Sequence, residues 1–584
     1  MKKQSFWRYT AIAAMLALIA TSILVQIVRI QNSPEVGGVT GQGAYVWKTF
    51  YPARGEIRDR NGNLLAGNKT VFEIGVDLSA LPAAKEAALK MEGDIAMAAA
   101  SSLGMDPATA LSRMTDAPAG TRYVILDDYV APDQAAQLMT LQKNDQANPS
   151  APNLDAINFT AHLMRSYPEK DLASNIIGYV TRDNHGYMGI EEKYDIILAG
   201  EPVTKLVPAN PLQAVDYPQI EPGQTLILTI DREIQASIEK ILDDALVSTG
   251  ASSGTIIVMD PKTGEILGMT SSPRMDLNDY TKVNQIFTGE TPYNRAISEA
   301  YEPGSVAKIF TMSAALDTGT VKPGTIFLDT GTIIVGGVAI HDWNDAPWGY
   351  QDMTGCLANS LNVCLAWVST KMGNNTFYSY MQKFGLGQLT GIDLAGEVAG
   401  REKHPGDTDW TPVELGTNAF GQGEAITPIQ MVTAASALAN GGQMVSPHVL
   451  LAQVRDGHQS NMLPHVIGNP ISADTAHTIS NMLYESLQRE SSTALLDGYP
   501  IAGKTGTAQI PTSTGYDPDN INASFIGWGP VADPRFLVYV WLEKPQTNKA
   551  ASVVAAPIFK QVIQKLVILM GIPPEVAGVQ NNGQ

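Results

Sequence analysis

A serine followed three residues later by a lysine, within Glu302-Pro303-Gly304-Ser305-Val306-Ala307-Lys308-Ile309-Phe310, is the pair in this chain best suited to covalent chemistry. Pro303 and Gly304 interrupt whatever precedes them. Beyond them Val306, Ile309, Phe310, Met312, Ala315 and Leu316 recur at helical spacing until Asp317-Thr318-Gly319. Ser305 is therefore expected at a helix N-terminus with Lys308 on the same face. Unused N–H groups and the positive end of the helix dipole at that spot can hold a developing oxyanion. For Lys308 to accept the serine's proton near neutral pH, its amine must titrate far below an ordinary lysine, which a dry pocket with positive neighbours supplies. Taken alone, Ser-x-x-Lys also describes many ordinary capped helices with a surface lysine.

Two further motifs change that reading. Ser360-Leu361-Asn362 follows, and Lys504-Thr505-Gly506-Thr507 lies well downstream at the start of a β pattern. The residue types fit one reaction. Ser305 attacks a carbonyl, Lys308 takes its proton, and Ser360 relays a proton to the departing amine. Asn362 can hydrogen-bond a substrate amide, Lys504 keeps the pocket positive, and the Thr505 and Thr507 hydroxyls can grip a terminal carboxylate. Gly506 permits close approach of the strand backbone to the substrate. The N–H groups of Ser305 and Thr507 are the expected oxyanion donors.

These residues need a scaffold. At 584 residues the chain is too long for one core, and at 44% hydrophobic and 17% charged it is globular. A net charge of −19 leaves no basic stripe for nucleic acid. Lys2, Lys3 and Arg8 precede an uncharged run from Tyr9 to Val28, with Arg29 after it. That length spans a bilayer and the charge bias keeps the N-terminus in the cytoplasm, so an uncleaved single-pass anchor is preferred to a signal peptide. Asn61-Gly62 reads as a hairpin turn. Residues from Ala83 to Met114 and from Pro132 to Leu141 read as helices, and a turn at Glu221-Pro222-Gly223-Gln224 marks a domain boundary. Beyond it come a strand from Thr225, a helix capped by Asp231, strands Gly254 to Met259 and Glu265 to Thr270, and a helix-rich region. Strands Thr507 to Ile510, Ala523 to Trp528 and Phe536 to Leu542 follow, then a last helix from about Ala555 to Met570. The economical fold class is α+β, with an antiparallel sheet covered by helices. The two cysteines, Cys356 and Cys364, flank the second motif. One continuous helix would hold them too far apart to bridge, whereas a loop would allow it; two buried thiols are the preferred reading.

In order and separation, the three motifs match the signature of class A β-lactamases and penicillin-binding proteins. The chain resembles a class B penicillin-binding protein along nearly its whole length. Arg54-Gly55 to Ala66, Arg165 to Tyr179 and Gly189-Ile190-Glu191 are similar to that family's non-catalytic region. Thr229 to Gln235, Tyr301 to Ser305, and Gly421-Gln422-Gly423 with Thr427-Pro428-Ile429-Gln430 are similar to its transpeptidase domain. Leu361 departs from the small polar residue that many relatives carry there. The resemblance implies a membrane-anchored peptidoglycan D,D-transpeptidase of the bacterial cell membrane with its catalytic part outside. Ser305 would be acylated by D-Ala-D-Ala stem peptides or by β-lactams. It also implies a multi-span membrane glycosyltransferase as partner, and no cofactor or metal. The expected division is 1–8 cytoplasmic, 9–29 anchor, 30–220 α+β pedestal of the dimerisation type, 221–572 transpeptidase domain and 573–584 tail. A carboxypeptidase or β-lactam hydrolase is the alternative within the fold, disfavoured by the long pedestal. A non-enzymatic scaffold or β-lactam sensor is the alternative of another class.

Three decoys need exclusion. Gly498-Tyr499-Pro500-Ile501-Ala502-Gly503-Lys504-Thr505 satisfies the P-loop pattern, but a phosphate cradle needs a strand before it and a helix after it. Glu414-Leu415-Gly416-Thr417-Asn418 is similar to a deacylating Glu-x-x-x-Asn, yet lies too far from Ser360. His341-Asp342-Trp343 suggests a histidine triad that Lys308 makes unnecessary, so a pocket-wall or loop role is expected.

Overall fold

The computed structural model describes residues 45–146, 152–208, 220–512, 515–548 and 550–575. The expected cytoplasmic segment, anchor and Gly-rich spacer, and residues 576–584 of the expected tail, lie outside the described residues. The chain divides into two compact units, one of residues 1–53 with 199–223 and one of residues 54–198 with 224–584. The described part of the first is built on an antiparallel pair, Tyr45–Phe50 with Val203–Pro208.

In the second unit the region around Ser305 is organised by a five-stranded sheet. Its order is Ile266–Ser271, Ser253–Met259, Phe536–Glu543, Gly515–Gly529 and Ala502–Thr512, and every pairing is antiparallel. Its middle strands are apolar on both faces because both faces are covered. Along Phe536–Glu543 the side chains alternate between two cores, as the two-residue period requires. Val538, Val540 and Leu542 join Phe559, Val562 and Ile563 of the helix Ala551–Leu569. Leu537, Tyr539 and Trp541 join Val306, Ile309 and Phe310 of the serine segment. The helix Ala551–Leu569 is long and apolar enough to cross a membrane, but half of its apolar window is buried inside the protein, and it serves as a cover for the sheet. Arg232–Thr249 covers the same face. The Asp231 carboxylate caps it by accepting from the Glu233 N–H at 2.9 Å, and Gly250 ends it in the left-handed conformation.

A second, seven-stranded sheet corrects the expectation of purely antiparallel pairing. Thr225–Leu228 pairs antiparallel with Leu450–Arg455 on one side and parallel with Ile57–Arg58 on the other. Ile57–Arg58 continues into Leu64–Asp77 through the Asn61-Gly62 turn, where Asp59 Oδ1 accepts from the N–H groups of Asn61 and Asn63. Tyr123–Val130 and Ile157–Ser166 pair with Leu64–Asp77, and the helices Lys85–Leu103, Pro107–Thr115 and Pro132–Gln146 lie in the same part of the chain. A third core, including Ile74, Ile95, Leu126 and Leu138, binds them together. The three pedestal segments singled out in the sequence meet at one buried carboxylate. Glu191 receives Arg54 Nε and Arg165 Nε at 2.7 Å each, and Tyr167 Oη at 3.3 Å.

Candidate active site

Ser305 stands in a 3-10 turn, Gly304–Ala307, that runs directly into the helix Lys308–Asp317. Sequence reading placed it at a helix N-terminus, and this turn is that terminus. The tighter turn eclipses positions three apart, which stacks residues 305 and 308 more directly. Within 301–310 only Ser305 is partly open; all the others are buried. Its N–H lies in the first turn, where the helix itself supplies no acceptor. Gly421 explains how so tight a turn is held. It is left-handed with φ 82°, its carbonyl accepts from the Gly304 N–H at 2.9 Å, and a Cβ on it would sit 2.2 Å from the Gly304 carbonyl oxygen.

Lys308 is completely buried. Its Nζ donates to the Ser360 carbonyl at 2.6 Å, contacts Ser360 Oγ at 3.2 Å, and donates to Asn362 Oδ1 at 2.8 Å. Burial, reinforced by the nearby Lys504 cation, holds its amine well below the ordinary lysine range, while Asp342 pulls the other way. Ser360 lies in the left-handed region with φ 52°, an unfavourable conformation for a residue with a Cβ. Its carbonyl is the one that receives Lys308. Asn362 opens the helix Asn362–Met372 and donates through Nδ2 to the His341 carbonyl at 3.1 Å.

Cys356 and Cys364 are joined by a disulfide, with Cα atoms 6.1 Å apart. The expectation of two thiols is corrected. The chain breaks between the helices Met353–Ala358 and Asn362–Met372, so the cysteines sit on separate helices that fold back together around Ser360.

Lys504, Thr505, Gly506 and Thr507 lie on Ala502–Thr512, the edge strand of the five-stranded sheet. The strand runs on to Thr512 where a P-loop would begin its helix, which removes the P-loop reading. A Cβ on Gly506 would meet Val306 Cγ1 at 2.9 Å and the Pro303 carbonyl at 3.1 Å. The glycine therefore lets the strand close on the serine turn itself. Lys504 is buried, and that burial lowers its amine while Glu490 pulls it back up; its Nζ reaches Thr505 Oγ1 at 3.1 Å. Thr507 is exposed, and its hydroxyl accepts from the Ala551 N–H at 3.3 Å. The fold thus brings the serine turn against the third-motif strand and the Lys308 amine against the second motif. The strand Ala502–Thr512 begins five residues before the Thr507 where sequence reading started it.

Two features were not read from the sequence. Asp342, weighed only as part of a histidine triad, accepts from the Val363 N–H at 3.1 Å. Burial and its neighbour Asp329 push its carboxyl up to about 6, against the lowering effect of that N–H. The His341 ring faces Thr332 Oγ1 at 3.1 Å. The second feature is a set of buried carboxylates, Glu302, Glu402 and Glu424, beside the serine turn. No spacing rule connects residues so far apart, and only Glu302 lay within a motif. Glu414–Thr417 is a short helix leading to Phe420, whose ring lies 5.9 Å from Lys308 Nζ.

The penicillin-binding protein transpeptidase domain matches residues 254–564 and the penicillin-binding protein dimerisation domain matches residues 49–215. The stage V sporulation protein D of Bacillus subtilis is 31% identical over 92% of this chain and 81% of its own length. The peptidoglycan D,D-transpeptidase FtsI of Escherichia coli is 27% identical over 90% of this chain and 84% of its own. Among solved structures, penicillin-binding protein 3 of Mycobacterium tuberculosis complexed with ampicillin superposes with a TM-score of 0.68 at 26% identity. That match covers 92% of this chain and 98% of the other.

Proposed function

This chain belongs to the class B penicillin-binding proteins, and we propose from that premise how its residues carry out peptidoglycan D,D-transpeptidation. The Ser305 hydroxyl attacks the carbonyl of the penultimate D-alanine, and its proton passes to the neutral Lys308 amine. The oxyanion is held by the N–H groups of Ser305 and Thr507. Ser360 hands a proton to the nitrogen of the terminal D-alanine, which leaves. The amine of a second stem peptide then attacks the acyl-enzyme, forming the cross-link and freeing Ser305. Asn362 holds the substrate amide, Lys504, Thr505 and Thr507 receive its carboxylate, and Gly506 keeps the strand close. A β-lactam acylates the same serine and stays. The observation that carries this reading is the buried Lys308 amine hydrogen-bonded to Ser360 and Asn362, residues more than fifty positions away.

The division into cytoplasmic segment, anchor over 9–29, pedestal over 30–220, transpeptidase domain over 221–572 and tail belongs to the same proposal, as does a catalytic part outside the membrane. The Cys356–Cys364 bridge supports that placement, since disulfides persist mainly in oxidising compartments. A multi-span membrane glycosyltransferase is the proposed partner. The test is a labelled penicillin on wild type and Ser305→Ala, with mass spectrometry of the adduct. Modification of Ser305 in wild type and none in the variant is expected; a label elsewhere, or none, overturns the assignment. A D-Ala-D-Ala donor supplied with an amine acceptor separates transfer from simple hydrolysis.

A further inference from the structure

A cavity of about 640 Å³ opens beside the serine turn, and its lining holds buried polar atoms that no protein group satisfies. Glu302, three residues before Ser305, uses Oε1 to accept from the Gly423 N–H at 3.0 Å and Tyr516 Oη at 3.2 Å, but its Oε2 has no hydrogen-bond partner. Glu424 Oε1, Asn522 Oδ1 and Trp541 Nε1 are equally without one. All four residues are at least nine-tenths buried. Groups of this kind cost free energy when left unpaired, so the unmatched pattern specifies what would complement it: three acceptors, two of them carboxylate oxygens, and one donor.

The cations nearby are already engaged. Arg401 pairs with Asp409 at 2.7 Å and Lys403 with Glu414 at 2.5 Å. Arg295 holds Glu299 and Glu543, the other two carboxylates of the lining, at 2.6 Å each. Among the described residues Glu302 and Glu424 therefore line the cavity with no ion pair of their own, Lys403 easing Glu302 only at longer range, and Glu402 lies close to Glu424. Burial holds all three carboxyls above their usual range, and repulsion adds to it at Glu402, from Glu424, and at Glu424, from Glu302. A cation entering the cavity would relieve that repulsion. The described residues present no group of ligands placed to hold a metal ion, which points to an organic cation.

We infer that this cavity binds a primary ammonium carried on a short chain beside a carbonyl or carboxylate oxygen, as on an amine-bearing peptide residue. The ammonium donates to Glu302 Oε2, Glu424 Oε1 and Asn522 Oδ1, and the oxygen accepts from Trp541 Nε1. The inference deepens the transpeptidase reading and rests on it: the ligand is the amine-bearing strand, docked on the residues that lead into the serine turn.

Calorimetric titration of Nα-acetyl-lysine N-methylamide into the full-length chain tests this, with its Nε-acetyl derivative as the neutral control. Saturable binding of the amine alone is expected, weakened about tenfold or more in Glu424→Gln and several-fold in Trp541→Phe, which keeps an aromatic ring but loses the N–H donor. No saturable binding in wild type, equal affinity in both variants, or equal binding of the neutral control overturns the inference. Labelled penicillin on the same preparations reports on Ser305 separately. Absence of label with intact amine binding would overturn the transpeptidase reading and spare the cavity; label without amine binding would do the reverse.

Discussion

Lys308 titrates low because it is buried and because Lys504 is its neighbour, and both causes have measurable consequences. The acidic limb of penicillin acylation should follow protonation of Lys308 and lie well below the ordinary lysine range. Lys504→Gln removes the repelling charge, so beyond slowing acylation it should move that limb to higher pH; an unmoved limb would show that the two amines do not interact. Stability carries the same sign. With the folded value depressed, the unfolded chain binds the extra proton, so stability falls as pH drops from the ordinary lysine range toward the folded value. The difference in melting temperature between Lys308→Met and wild type should therefore widen in favour of the variant as pH falls. Glu424 behaves oppositely. Its carboxyl is pushed by burial and by Glu302 from 4.5 up to about 8, so the folded state holds the proton and stability is lost as pH rises across that window. Glu424→Gln should gain on wild type between those two pH values in thermal melts, and a gain that does not vary with pH would refute the burial argument.

The elements that carry the site differ in how far their sequences announce them. Val538, Val540 and Leu542 alternating with Leu537, Tyr539 and Trp541 could only be a strand covered on both faces, and such runs made the five-stranded sheet readable. The Pro303-Gly304 break and the apolar spacing after Ser305 likewise placed the catalytic helix to within one turn. The small hairpin Thr332–Val335 with Val338–His341 was missed inside a region read as helical, because strands so short and half-exposed have little periodicity to detect. The Cys356–Cys364 bridge was missed because it depends on a break at Ser360 whose left-handed backbone no local rule demands. The cavity escaped for a similar reason: Glu302, Glu424, Asn522 and Trp541 come from separate elements and become neighbours only in the fold. The bridge closes a short loop, so replacing both cysteines by serine should cost about 2–3 kcal/mol in denaturant unfolding by loop-closure entropy. It should also slow acylation of Ser305, since Ser360 would lose the clamp that holds it under Lys308. Unfolding and acylation unchanged from wild type would mean that helix packing alone fixes the second motif.

Across the molecule, the Arg54, Arg165 and Glu191 cluster ties three pedestal segments that lie far apart in the chain. Resemblance picked out these segments, but the sequence offered no reason for them; their reason is the single carboxylate on which both guanidiniums converge. Glu191→Ala strips the buried Arg165 of its carboxylate and leaves Arg54 with Asp195 alone, and should destabilise the protein by about 3–5 kcal/mol, measured by denaturant unfolding. A loss below about 1 kcal/mol, the range of exposed pairs, would mean the cluster is solvated. The strand Thr225–Leu228 has a practical consequence of its own. It is bonded to Leu450–Arg455 on one flank and to Ile57–Arg58 on the other. Excising the catalytic half for crystallisation by cutting near the Glu221-Pro222 turn would strip one flank bare and leave an adhesive seam of idle amides and carbonyls. Such a fragment should come out of solution or pair with itself, and a soluble truncation would have to bring the Ile57–Asp77 ribbon along.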